Sequence, residues 1–82
     1  MDDQIRNILA AYAKMPTDVF ALSEDEDLYE RGLTSHASVN VMLAIEDEFS
    51  IEFPDELLKK ATFATISRLV AVVSDLTGKA IA

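Results

Sequence analysis

The stretch DLYERGLTSHASVNVMLAIEDEFSIEFPDELL, residues 27–58, decides the fold. From Ser35 onward, Ser38, Val41, Met42, Ile45 and Phe49 recur at helical spacing on one face, which predicts a helix over 35–49. Ser35 reads as its N-cap. Gly32, three residues earlier, reads as a turn with positive φ. Pro54 then opens a short helical turn from Asp55 to Ala61, proline being favoured in a first turn.

The periodicity extends outward in both directions. Towards the C-terminus, Thr65 caps a helix whose stripe is Ile66, Leu69, Val70, Val73 and Leu76, and Gly78 ends it. Towards the N-terminus, Asp2 and Asp3 cap a helix with the stripe Ile5, Ile8, Leu9 and Tyr12. That helix stops before Pro16, because the residue preceding a proline is pushed out of the α region. Residues 16–34 have no clean period. A loop this long is unusual in a small domain, and its Val19, Phe20, Leu22, Leu28, Tyr29 and Leu33 predict that it packs down on the helices. No segment alternates with period two for long enough to make a strand. The expected fold is all-α: a small antiparallel bundle of three main helices and one short helix, with a long ordered loop after the first.

Composition agrees. The 82 residues make a single domain over 1–82, half of them apolar, with only two glycines and two prolines. The net charge of −8 is the wrong sign for a protein that neutralises phosphates, so nucleic acid and anionic membrane surfaces are not expected partners. There is no cysteine, which excludes a disulfide scaffold, a thiolate metal site and a cysteine nucleophile. The single histidine, His36, excludes a multi-histidine metal site within one chain. The N-terminus has no signal pattern, and the apolar runs are too short to span a bilayer, so the cytoplasm is the expected compartment; the chain is expected to be a monomer.

Two features stand out. Residues 18–56 hold twelve acids and one base, Arg31, for a local charge of −11, while the remainder carries +3. This is a solvated surface or a docking face for a basic partner. On the helix from Ser35, Val41, Met42 and Phe49 lie within about 60° of Ile45, whereas Val39 and Leu43 lie roughly 120° and 160° away. They therefore face solvent, near His36 and flanked by Asn40, Glu46 and Asp47. An apolar pair with an acidic rim is an interface pattern; cover by loop residues is the plainer alternative. Ser35 lies where the two features meet. A phosphate ester there would enjoy the positive end of the helix dipole, although a serine at a helix start is also an ordinary cap.

These residues resemble the acyl carrier protein family, including its peptidyl and aminoacyl carrier domains. The resemblance rests on Gly32-Leu33-Thr34-Ser35, on Ala44, Ile45, Glu46, Glu48 and Phe49, on Ile51 to Asp55, and on Phe63 to Ile66 with Leu69. It implies that Ser35 receives 4′-phosphopantetheine from coenzyme A and that the chain, not itself an enzyme, carries an acyl or aminoacyl group as a thioester. It also implies three partners: a phosphopantetheinyl transferase, a cargo-loading ligase or synthetase with a basic docking surface, and a downstream acyl- or aminoacyl-transferring enzyme. His36, Val39, Asn40, Leu43, Glu46 and Asp47 are the expected partner-binding residues.

Thr34 and His36 stand where the family usually has Asp and Leu, and Asn40 replaces an often acidic residue. With the peptidyl-carrier-like Phe63 to Ile66, these departures tilt the expected cargo towards aminoacyl or other specialised groups. The alternative is an acidic interaction module without a cofactor. A calcium loop in the acidic run from Glu24 is rejected, because neither register of its ligands and glycine fits.

Overall fold

The computed structural model describes residues 1–81, with side chains through residue 78. Three helices build it: α1 (Asp2–Ile8), which continues as a π-helical stretch Leu9–Ala13; α2 (Ser35–Phe49); and α3 (Ile66–Ile81). Short 3₁₀ turns at Asp55–Leu57 and Lys60–Phe63 join α2 to α3. No strand occurs among the described residues. Each helix touches the other two, around a core led by the fully buried Ile5, Leu9, Leu28, Val41, Ile45, Ile66, Leu69 and Val73.

The π-helical stretch rotates the expected face of the first helix. Ile5, Ile8 and Leu9 are buried as their spacing demands, but Tyr12 is 49% exposed and Ala13 takes the buried place. A π turn spends one extra residue per turn, so the core-facing position slips one residue later. Lys14 then closes the helix in the left-handed conformation at φ +51°. At the other end Met1, not Asp2 or Asp3, precedes the helix. The two aspartates lie in its first turn without a capping bond, where their charge still favours the dipole.

The long loop is packed as expected. It buries Val19, Leu22, Leu28 and Leu33, while Phe20 stays 52% exposed. Two devices hold its backbone. Arg6 of α1 donates through Nη1 to the carbonyls of Val19 and Leu22, each at 2.7 Å, and pairs through Nε with Asp2 at 2.7 Å. At the loop's far end the Leu28 amide donates to the Ala64 carbonyl at 2.7 Å, and the Ser67 amide to Glu24 at 2.9 Å. Several loop acids serve the fold. Asp18 and Asp27 accept from the amides two residues on, at 3.0 and 2.9 Å, and Glu26 pairs with Arg31 at 2.6 Å.

Four other expectations are corrected. The expected single turn from Asp55 to Ala61 is two 3₁₀ turns, because Leu58 leaves the helical region and Lys59 is extended. Helix α3 runs through Gly78 to Ile81; an added Cβ there would meet nothing within 4 Å, so the glycine occupies an open face. Val72 is buried on α3, while Val70 and Leu76 are only half-buried. Phe49, expected in the core, is half-buried and packs against its edge, and Ser50 ends α2 in the left-handed conformation at φ +55°.

Candidate functional site

The approach to α2 is built residue by residue. Gly32 has φ +113°, a conformation that L side chains rarely adopt, and a Cβ there would lie 2.5 Å from Pro16 Cδ. The turn sends Leu33 into the core, 4% exposed, with its amide on the Leu28 carbonyl at 2.9 Å. The next residue, Thr34, is extended and caps the helix: its Oγ1 accepts the Ala37 amide at 3.0 Å. The cap is therefore Thr34 and not Ser35. Both are good cap residues, and helix boundaries read from sequence carry a residue or two of slack.

This shift matters chemically. Ser35 becomes the first residue of α2, exposed, and its hydroxyl has no hydrogen bond among the described residues. Ser38 Oγ donates to the Ser35 carbonyl at 2.7 Å and steadies the backbone from below. No acidic side chain lies in the first turn. A phosphate ester on Ser35 would sit at the positive end of a 15-residue helix with no carboxylate in that turn to oppose it.

Beside Ser35 opens a groove of about 270 Å³. Its α2 wall is Ser35, Ser38, Val39 and Met42. The opposite wall comes from the connection before α3, with Leu58, Lys59, Lys60 and Phe63, and Tyr29 of the loop completes the lining. Phe63 is held by a stacked contact with Phe53, ring centroids 5.7 Å apart. Lys60 places its ammonium 4.8 Å from the centre of the Tyr29 ring. Sequence reading missed this groove, since its two walls are some twenty residues apart; Val39 and the half-exposed Leu58 were the visible signals.

The expected partner-facing residues separate into two kinds. His36, Val39, Asn40, Leu43 and Asp47 are all exposed, Val39 at 50% and Leu43 at 53%, as the helical phase requires. Glu46 is half-buried, and its Oε2 accepts the Phe53 amide at 2.8 Å, tying α2 to the segment after it. Among the described residues no group of three or more metal-ligating side chains gathers, and no helix is long and apolar enough to cross a membrane.

A small all-α bundle that offers a free serine hydroxyl at a capped helix N-terminus, beside an apolar groove, is organised to bear a tethered group. Residues 3–73 match the family described as "Phosphopantetheine attachment site", and the chain belongs to that family. The groove, the unopposed helix end and the free hydroxyl fit a phosphate-linked arm.

Relatives narrow the comparison. The chain is 48% identical over 69 residues to an aminoacyl carrier protein of Agrobacterium fabrum, covering 84% of this chain and 83% of that one. It is similar to a chain in the crystal structure of an engineered Bradyrhizobium japonicum glycine:[carrier protein] ligase complexed with carrier protein from Agrobacterium tumefaciens and AMP. The TM-score is 0.87 at 46% identity, with 90% of this chain and 99% of that chain covered. A solution structure from Agrobacterium tumefaciens matches over the full length of both chains, at TM-score 0.75 and 46% identity.

Proposed function

We propose that this chain is an aminoacyl carrier protein: it bears 4′-phosphopantetheine on Ser35 and presents an activated amino acid to partner enzymes. The observation that carries the reading is the free Ser35 hydroxyl at the start of α2, left unengaged because Thr34 does the capping. When bound, the arm supplies a thiol that holds cargo as a thioester; the protein supplies address and tether. Three supports add to it. The family match covers the segment containing Ser35. The relative at 48% identity is an aminoacyl carrier protein. A carrier of the same fold is bound by a glycine ligase in the similar crystal structure.

In this reading the chain itself catalyses nothing. Gly32 and Leu33 fix the entry to α2, the helix N-terminus favours the phosphate, and the exposed face of α2 is the address. Val39 and Leu43 supply its apolar contact, with His36, Asn40 and Asp47 around them. Glu46 lends that face charge while one of its oxygens serves the fold. The partners are a phosphopantetheinyl transferase, an amino-acid-activating ligase with a basic docking surface, and an enzyme that takes the aminoacyl group onward. The test is reconstitution: the apo chain with coenzyme A, a phosphopantetheinyl transferase, an amino acid, ATP and a cognate ligase should give a product heavier by one phosphopantetheine and one aminoacyl group. An acidic interaction module would stay at its apo mass throughout.

A further inference from the structure

The groove beside Ser35 has an unexpected charge. Its surroundings are acidic, with −11 over residues 18–56, yet Lys59 and Lys60 stand in its wall. Neither lysine has a carboxylate within 4 Å among the described residues, although Asp55 and Glu56 are exposed on the preceding turn. Lys60 is positioned by the Tyr29 ring, a contact that favours the cation. A phosphodiester on Ser35 brings one negative charge to a wall lined by two lysines. The wall stays net positive after the arm is attached.

We propose that this wall sorts cargo by charge: the groove shelters the arm when its end is neutral, and Lys59 and Lys60 keep a cargo with a free α-ammonium out of it. The arm is the occupant because Ser35, its anchor, is itself part of the lining. The apolar surface of Val39, Met42, Leu58 and Phe63 suits an uncharged chain. A free α-amino group, with an ordinary pKa of about 7.7–8.0, is largely protonated below neutral pH and is repelled by like charges. Charging with an amino acid therefore tips the arm outward, and the loaded carrier presents its cargo where the unloaded one folds its arm away. An N-acylated amino acid of similar size, having lost the charge, is sheltered again.

The inference rests on Ser35 bearing the arm, and is independent of which cargo is natural. The experiment attaches synthetic arms from coenzyme A analogues with a phosphopantetheinyl transferase, using amide links in place of the thioester. Three arms are compared at about pH 6.5, below the α-amine's usual range: free thiol, glycyl and N-acetylglycyl. Amide resonances of Val39, Met42 and Phe63 report groove occupancy against the apo protein. The free-thiol and N-acetylglycyl arms should shift them. The glycyl arm should occupy the groove about two- to five-fold less, the size expected of solvent-exposed charge effects. In the Lys59→Gln/Lys60→Gln double variant the glycyl arm should match N-acetylglycyl, and the Lys→Arg pair should restore the difference.

Equal shifts from both aminoacyl arms in the unaltered protein would overturn the proposal. So would a glycyl deficit that survives loss of both lysines, or groove resonances that no arm perturbs. None of these results touches the aminoacyl reading. Failure of Ser35 to accept any arm would instead remove that reading, and this inference with it.

Discussion

Gly32→Ala should be costly, and the structure says by how much and why. Two separate penalties meet there. At φ +113° an alanine is held in a region nearly reserved for glycine, a strain of about 1–3 kcal/mol. Its Cβ would also lie 2.5 Å from Pro16 Cδ and 3.1 Å from Cγ. That ring is bonded to the backbone, so relief requires the chain to move, and such overpacking costs about 1–3 kcal/mol. The expected loss is about 2–6 kcal/mol, against a total near 4–12 kcal/mol for 82 residues. Urea unfolding followed by far-ultraviolet circular dichroism measures it. In a Pro16→Ala background the ring is gone, so the cost of Gly32→Ala should fall by the contact share and keep the strain share. A loss below about 1 kcal/mol would refute the turn geometry, and an unchanged cost in the Pro16→Ala background would refute the contact with the ring.

The remaining expectations divide by site. Thr34→Ala should cost about 1 kcal/mol, whereas Ser35→Ala should stay within about 0.5 kcal/mol of the unaltered protein; the reverse order in denaturant titration would return the cap to Ser35. Arg6→Met should destabilise by about 2–4 kcal/mol, since the Val19 and Leu22 carbonyls lose a charged donor, and hydrogen exchange should quicken first in the loop. A loss under 1 kcal/mol would mean that water replaces the guanidinium. Leu43→Ala should slow cargo loading several-fold with folding intact, because a half-exposed leucine adds little to the core. Asp47→Lys should lower the association rate and flatten its salt dependence. Unchanged loading kinetics in both would move the docking face elsewhere. Glu46 is a poor probe of docking, since its carboxylate also holds the Phe53 amide.

The helix faces were legible because burial imposes a period: Val41 and Ile45 on α2 and Ile66, Leu69 and Val73 on α3 are buried as it requires, while Phe49, Val70 and Leu76 reach only the edge of the core. What the period could not show was a change in the period itself. The π-helical stretch Leu9–Ala13 has no sequence mark, so the α-helical period points Tyr12 inward although it faces solvent. The ends of the first two helices were legible, from Pro16 and from the last periodic residue, Phe49, but the way the chain closes them was not. Lys14 and Ser50 take the left-handed conformation where a glycine would have announced it. At the site, Gly32 and the family pattern around Ser35 were readable locally. The capping division between Thr34 and Ser35 was not, because two adjacent hydroxyl residues are equivalent until the backbone picks one. In the sequence the acids of the loop read as charge and as a calcium loop that does not fit. Their turn-forming and Arg31-pairing bonds depend on short-range geometry that composition does not carry.

Whether Ser35 bears the arm is read from intact mass. The purified chain is incubated with coenzyme A and a phosphopantetheinyl transferase, alongside Ser35→Ala and Thr34→Ala. The unaltered protein and Thr34→Ala should each gain one phosphopantetheine, fragmentation should place it on Ser35, and Ser35→Ala should stay at its apo mass while keeping its helical spectrum. A folded Ser35→Ala variant that still gains the arm, or an unaltered protein that never does, would contradict attachment at Ser35.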